Sequence, residues 1–231
     1  MLSFIIALPH EEPQAEKLAR SLHPLGMQTV IHPAIKSDHL EGGCHLPGEW
    51  GCLMSHKQIL ERIVKLGIPA CIFEYDAIPR KDISRELFHG IVESFLTHQG
   101  ILFGSSQYTW NKVEKYRWKN IVTTQNIPNE PPHNLAWYPA NDTTSGTFAM
   151  FVRPELAKYT LSMIDLYPDA MDRVYYKHVY QKFEVPVLWP PLFIADVAKS
   201  GIRQDRDPQT HALSTRWDIE QYGFEEDEEG T

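Results

Sequence analysis

The chain has 231 residues, 42% apolar and 23% charged, with a formal charge of −8. That balance describes a folded soluble chain with a substantial core, as one large α/β domain or two small ones. The acidic charge argues against a protein that grips nucleic acid through basic side chains, and three cysteines without CxxC spacing argue against a disulfide framework or a zinc cage.

Residues 2–8, LSFIIAL, are an unbroken apolar run, the pattern of a strand buried on both faces. The run lacks a basic leader and is too short to span a membrane, so it reads as a first strand. In PHEEPQAEKLARSL, Ala15, Leu18, Ala19 and Leu22 recur at helical spacing, with acids in the first turn where the helix dipole favours them. MQTVIHP is the second strand, and strand–helix–strand implies a parallel pair with a right-handed crossover. GEWGCLMSHKQILERIVKLG carries the clearest helix. Cys52, His56, Ile59, Ile63 and Leu66 share one stripe, and Gly67 ends it. Residues 68–73 form the next strand, so Glu74 and Asp76 stand at its carboxyl end.

Further strands are expected at 100–104 (GILFG), 146–152 (GTFAMFV) and 185–190 (VPVLWP). Helices are expected from Pro154 to about Met163 and over Ala170–Lys182. The Pro- and Asn-rich stretch 126–142 is the long loop candidate. This alternation predicts one twisted mixed sheet with helices on both faces. Residues 1–222 are expected to form a single domain and 223–231 an acidic, flexible tail.

In open α/β sheets, ligands bind outside the carboxyl ends of the strands. Glu74 and Asp76 are one residue apart, and a strand period of two points both to one side. Two like charges so placed call for a cation or for solvent. A divalent ion that prefers oxygen, Mn2+ or Mg2+, satisfies them and bridges to a diphosphate. The bland alternative is a pair of solvated acids in a turn.

The segment LPGEWGCLMSHKQILERIVKLGIPACIFEYDAIP resembles glycosyltransferase family 25, the group of lipooligosaccharide and collagen galactosyltransferases. The family has a Gly-Glu-x-Gly-Cys-x-x-Ser-His helix start. Gly48, Glu49, Gly51, Cys52, Ser55 and His56 fill it here. An apolar strand ending in Glu-Asp-Asp follows, and Glu74 and Asp76 fill its outer positions, with Tyr75 in the middle. GTFAMFVRPELAKYTL and YPDAMDRVYY are similar to later family segments, with Asp172 matching the acid of a Pro-x-Asp element. The first strand departs from the family, with ALPHEEP in place of a basic-rich turn.

The resemblance implies a GT-A fold, a Rossmann-like mixed sheet. It also implies a nucleotide-sugar donor such as UDP-galactose, a carbohydrate or glycoconjugate acceptor, and inverting transfer. Asp76 is then the metal ligand. Glu74 is a second ligand or an acceptor of hydrogen bonds from the ribose or sugar. Gly48, Glu49, Ser55 and His56 fall in the donor pocket. Each has a plainer alternative: a helix-start turn for Gly48 and Gly51, a dipole-complementing acid for Glu49, a core histidine for His56.

An inverting transfer needs one base to take the acceptor proton. Asp172 is the choice, with Asp169 as a helix cap and Asp142 as the runner-up base. Ser145–Thr147 offers small residues for sugar approach. Asp196, Arg203, Arg206 and His211 offer late ligands or a diphosphate clamp, or equally a solvated loop. Tyr108, Trp110, Tyr116 and Trp118 form either an acceptor platform or a packed flap. Without a leader or a membrane span, the expected location is the cytosol, or the periphery of a membrane through partners. The rival readings are an inactive nucleotide-sugar or glycan-binding module on the same fold, and a phosphoryl-transferring enzyme, which lacks a GxxxxGK[ST] loop here.

Overall fold

A computed structural model describes residues 1–105, 135–142, 144–196 and 217–224. The chain opens with β1 (Leu2–Ala7), α1 (Glu12–Leu22), β2 (Gln28–Pro33), α2 (Pro47–Leu66) and β3 (Ala70–Glu74). β1 lies between β2 and β3 and is parallel to both. The crossover through α1 leaves β1 for β2, and that through α2 returns past β1 to β3. Right-handed crossovers in opposite directions put the two helices on opposite faces of the sheet.

The two helices form for different reasons. α1 is amphipathic and buries Ala15, Leu18 and Leu22. α2 starts with Pro47 in its first turn and stops at Gly67, whose φ of 65° closes the helix in the left-handed region. Its buried face carries Leu53, Ile59, Leu60 and Ile63, together with the polar Ser55 and His56.

The sheet continues through β5 (Gly100–Leu102), β6 (Ala136–Pro139), β7 (Ala149–Val152) and β8 (Pro186–Trp189). Seven strands run in the order β2-β1-β3-β7-β5-β8-β6. β7 is antiparallel to both β3 and β5, which makes the sheet mixed, as expected. Its amino end therefore lies at the edge where β1, β2 and β3 finish. β3 is wholly apolar and buried from Ala70 to Phe73. Burying Ile72 and Phe73 contributes roughly 1.5–3 kcal/mol each.

Several elements differ from the sequence expectation. β4 (Ala77–Pro79) and β9 (Phe193–Ala195) pair as a separate antiparallel ribbon. α3 (Arg85–Ser94) was hidden by its short apolar stripe; Ser84 caps it by accepting a hydrogen bond from the Leu87 amide. The loop candidate 126–142 contains β6, which is paired with β8. α4 (Pro154–Leu166) packs on α2. The helix expected over 170–182 is α5 (Met171–Val174), running into one π-helical turn, Tyr175–Val179.

Gly223 and Phe224, assigned to the tail, are packed: the Gly223 amide donates to Pro79 O, and Lys17 Nζ sits 5.0 Å from the Phe224 ring centre. Among the described residues no helix is long and apolar enough to cross a membrane. The aromatic stretch Tyr108–Trp118 and Arg203, Arg206 and His211 lie outside the described residues.

Candidate active site

A cavity of about 330 Å³ opens at the carboxyl ends of the three parallel strands. Ile6 and Leu8 from the end of β1, Ala34–Ser37 after β2, and Glu74–Asp76 after β3 line it. Gly48, Cys52 and Ser55 from the first turns of α2 form another wall, and His10 and Glu11 a third.

β3 ends at Glu74, and Tyr75 and Asp76 form a turn before β4. Asp76 therefore lies outside the strand, and a period of two does not set the direction of its side chain relative to Glu74. The acids are nonetheless close enough to interact. Burial pushes the Asp76 carboxyl well above its usual range, and the charges of Glu74, Asp196 and Glu11 push it further. Asp76 is only 6% exposed, and its Oδ1 has no hydrogen-bond partner among the described residues. A buried carboxylate oxygen without a donor, among three other acids, is a strongly unfavourable arrangement unless a proton or a cation joins it. Oxygen donors of this kind fit a hard divalent ion.

The backbone of this turn is fixed on every side. The Glu74 amide donates to Phe148 O at 2.9 Å, the Tyr75 amide to Ile6 O at 3.0 Å, and the Asp196 amide to Asp76 O at 2.7 Å. The Tyr75 side chain is half-buried against the core, in keeping with a packing role.

Glu74 turns its carboxylate toward α2. Its Oε1 lies 3.4 Å from His56 Nε2 and 3.9 Å from Cys52 Sγ, and accepts a hydrogen bond from Thr147 Oγ1 at 3.3 Å. His56 is fully buried and its Nδ1 has no partner among the described residues. It stands behind Glu74 and does not line the cavity. Sequence reasoning assigned no role to Cys52, though its i, i+4 spacing with His56 placed both on one helix face. Burial raises the Cys52 thiol well above its usual range, with Glu74 and Asp172 adding to the shift. His10, Glu11 and Lys36 were also missed; the first two lie in a single 3-10 turn before α1 and the third on a loop, where no periodicity marks them.

The remaining expected residues divide. Ser55 Oγ donates to Gly51 O at 2.7 Å and accepts from the Ile35 amide at 2.8 Å, so it ties a cavity wall to α2. Gly51 is needed for packing: a Cβ there would lie 2.2 Å from Ile35 O. Glu49 does not line the cavity. It accepts from the His45 amide and from Arg173 Nη2, both at 2.8 Å. Asp169 is bound to Arg173, to Lys177 and to the Ala170 amide. It precedes Ala170, the residue at the capping position of α5.

Asp172, in the first turn of α5, does not line the cavity but lies within electrostatic reach of Glu74 and Cys52. Burial raises its carboxyl, and Glu74 and Glu49 raise it further against the pull of Arg173. Asp142 is exposed.

No curated protein matches the chain. Among solved structures it is similar to a glycosyltransferase involved in glycosylation of the major capsid of PBCV-1, with TM-score 0.43 and 11% identity over 93% of this chain and 98% of that one. It is also similar to a UDP-glucose pyrophosphorylase complexed with UDP-glucose (TM-score 0.40, 7% identity, 93% and 97% covered). A third is mouse xyloside xylosyltransferase 1 (0.38, 9%, 77% and 82%). Likeness this distant says nothing of donor or acceptor. The sequence profile of Glycosyltransferase family 25 (LPS biosynthesis protein) matches residues 32–175, more than half of the chain, and spans α2, β3 and α5. Because that profile covers most of a chain folded as a mixed α/β sheet, the chain belongs to glycosyltransferase family 25 and is a glycosyltransferase.

Proposed function

We propose that the protein transfers a hexose from a nucleoside-diphosphate sugar of the UDP-galactose kind to a carbohydrate hydroxyl, with a divalent metal ion and with inversion. The observation that carries this reading is the buried Asp76 carboxylate with its unpartnered oxygen, beside Glu74, at the carboxyl edge of the parallel strands. Asp76 and Glu74 would hold Mn2+ or Mg2+. When bound, that ion neutralises the acids and the diphosphate and supports the leaving group. Each close charge pair at an effective dielectric near 20 is on the order of 4 kcal/mol, so without the ion this edge would repel a diphosphate.

Asp172 takes the proton of the acceptor hydroxyl as that oxygen attacks the anomeric carbon. The bond from that carbon to the diphosphate oxygen breaks with the electron pair leaving on the diphosphate. Burial suits Asp172 to this task, because a raised pKa strengthens a carboxylate as a base.

The test is to incubate the protein with UDP-sugars and Mn2+ and to measure UDP release and donor binding. Metal-dependent release is expected, and Asp76→Ala should abolish both. Asp172→Asn should lower kcat by about 10²–10⁴-fold while leaving donor binding intact. Metal-dependent donor binding that survives Asp76→Ala would overturn the assignment. Binding without turnover of any donor would favour an inactive sugar-nucleotide module.

A further inference from the structure

The geometry points to a second metal site, for a thiophilic divalent ion of the zinc or cobalt class, formed by Cys52 Sγ, His56 Nε2 and Glu74 Oε1. These three atoms lie within 4.8 Å of one another. In a tetrahedral zinc site with bonds of about 2.0–2.3 Å, neighbouring ligand atoms stand roughly 3.3–3.6 Å apart. His56 Nε2 and Glu74 Oε1 are already 3.4 Å apart, and Cys52 Sγ is 3.9 Å from the same oxygen, while Cys52 Sγ and His56 Nε2 lie within 4.8 Å, so the set closes with side-chain shifts of roughly 1 Å or less.

The supporting structure is rigid where it matters. Cys52 and His56 are four residues apart on α2, and Glu74 is the last residue of a buried central strand. Thr147 Oγ1, just before the neighbouring strand β7, donates to the Glu74 carboxylate. Cys52 and Glu74 also line the cavity, which leaves the fourth position open to water or to a ligand. Three protein ligands with one open position is the pattern of an accessible zinc site and not of a closed structural one.

A thiolate and an imidazole favour a softer ion than the oxygen-only acids at Asp76. On binding, the Cys52 S–H bond is replaced by a sulfur–metal bond and one proton leaves to solvent. Among the described residues His56 Nδ1 has no partner to supply the outer hydrogen bond that usually orients a ligating ring, which weakens binding by about 10–100-fold. Occupation removes Glu74 from the donor site, so such an ion acts as an inhibitor of Mn2+-supported turnover.

The full-length, metal-stripped chain titrated with Co2+ tests this. The expected result is a sulfur-to-cobalt charge-transfer band with tetrahedral visible absorption, saturating at one ion, displaced by Zn2+ and accompanied by release of one proton. Cys52→Ser and His56→Gln should lose the band, and Cys44→Ser should keep it. Asp76→Asn should also keep it, which separates this site from the donor-binding ion. Absence of a sulfur band in the wild-type protein overturns the inference whether or not the variants fold. A band that survives in folded Cys52→Ser does the same. Neither outcome touches the glycosyl-transfer reading, which is read through UDP release with Mn2+.

Discussion

Two groups of buried carboxylates lie near opposite ends of the same motif, and they are solved differently. Glu49 and Asp169 share Arg173, whose guanidinium reaches both, and Lys177 closes the group on Asp169. Burial works against the charge of both acids, but the hydrogen bonds from Arg173, Lys177 and the His45 and Ala170 amides outweigh it and hold them below the usual carboxylate range. Asp76 is just as buried, yet the charges that act on it are those of Glu74, Asp196 and Glu11, all acids. The first group is complete within the chain and holds α2 to α5. The second is incomplete, and a bound cation of the kind proposed above would offset its cost.

The largest test of this contrast is Arg173→Ala. It strands two buried carboxylates at once, and a loss of about 3 kcal/mol is expected in urea unfolding, the lower end for a broken buried pair because Lys177 remains. An unchanged midpoint would mean that the first group is not structural. Asp76→Asn should act in the opposite sense, raising the stability of the metal-free protein by about 0.5–2 kcal/mol while donor turnover is lost.

The pH dependence has opposite signs too. Asp76 binds its proton more tightly folded than unfolded, so its contribution to stability falls as pH rises above about 4, and Asp76→Asn should flatten that fall. Asp169 is shifted down, so its contribution is complete above about pH 4 and disappears as pH falls through its folded value. The smallest effect belongs to Lys177→Met. Lys177 is 46% exposed, so solvent screens it, and a loss under about 1 kcal/mol is expected at neutral pH, vanishing in acid. Thermal melts of both variants across that range would show the two slopes.

Most of the sheet was legible in the sequence because its strands are doubly buried apolar runs and its main helix carries a long stripe. β4, β6 and β9 were not: they are three or four residues long, with prolines in β4 and β6, and only partner strands define them. The acids at 74 and 76 were marked by position at a strand end. The roles of Glu49 and Ser55 were hidden because their partners, Arg173 and Ile35, are set by tertiary contact. Cys52 was hidden by its apolar character, since a cysteine on a helix stripe looks like core until a carboxylate is found against it.

The three amides that pin residues 74–76 and 196 have a consequence for how ligands bind. The chain's freedom at this turn is lost when the protein folds, so an ion or a diphosphate arriving there meets little further ordering. Amide hydrogen exchange at Glu74 and Tyr75 should be as slow as in the central strand, and nearly the same with and without ligand. Calorimetry should then show association governed by displaced water and charge neutralisation, with a small contribution from tightening of the backbone.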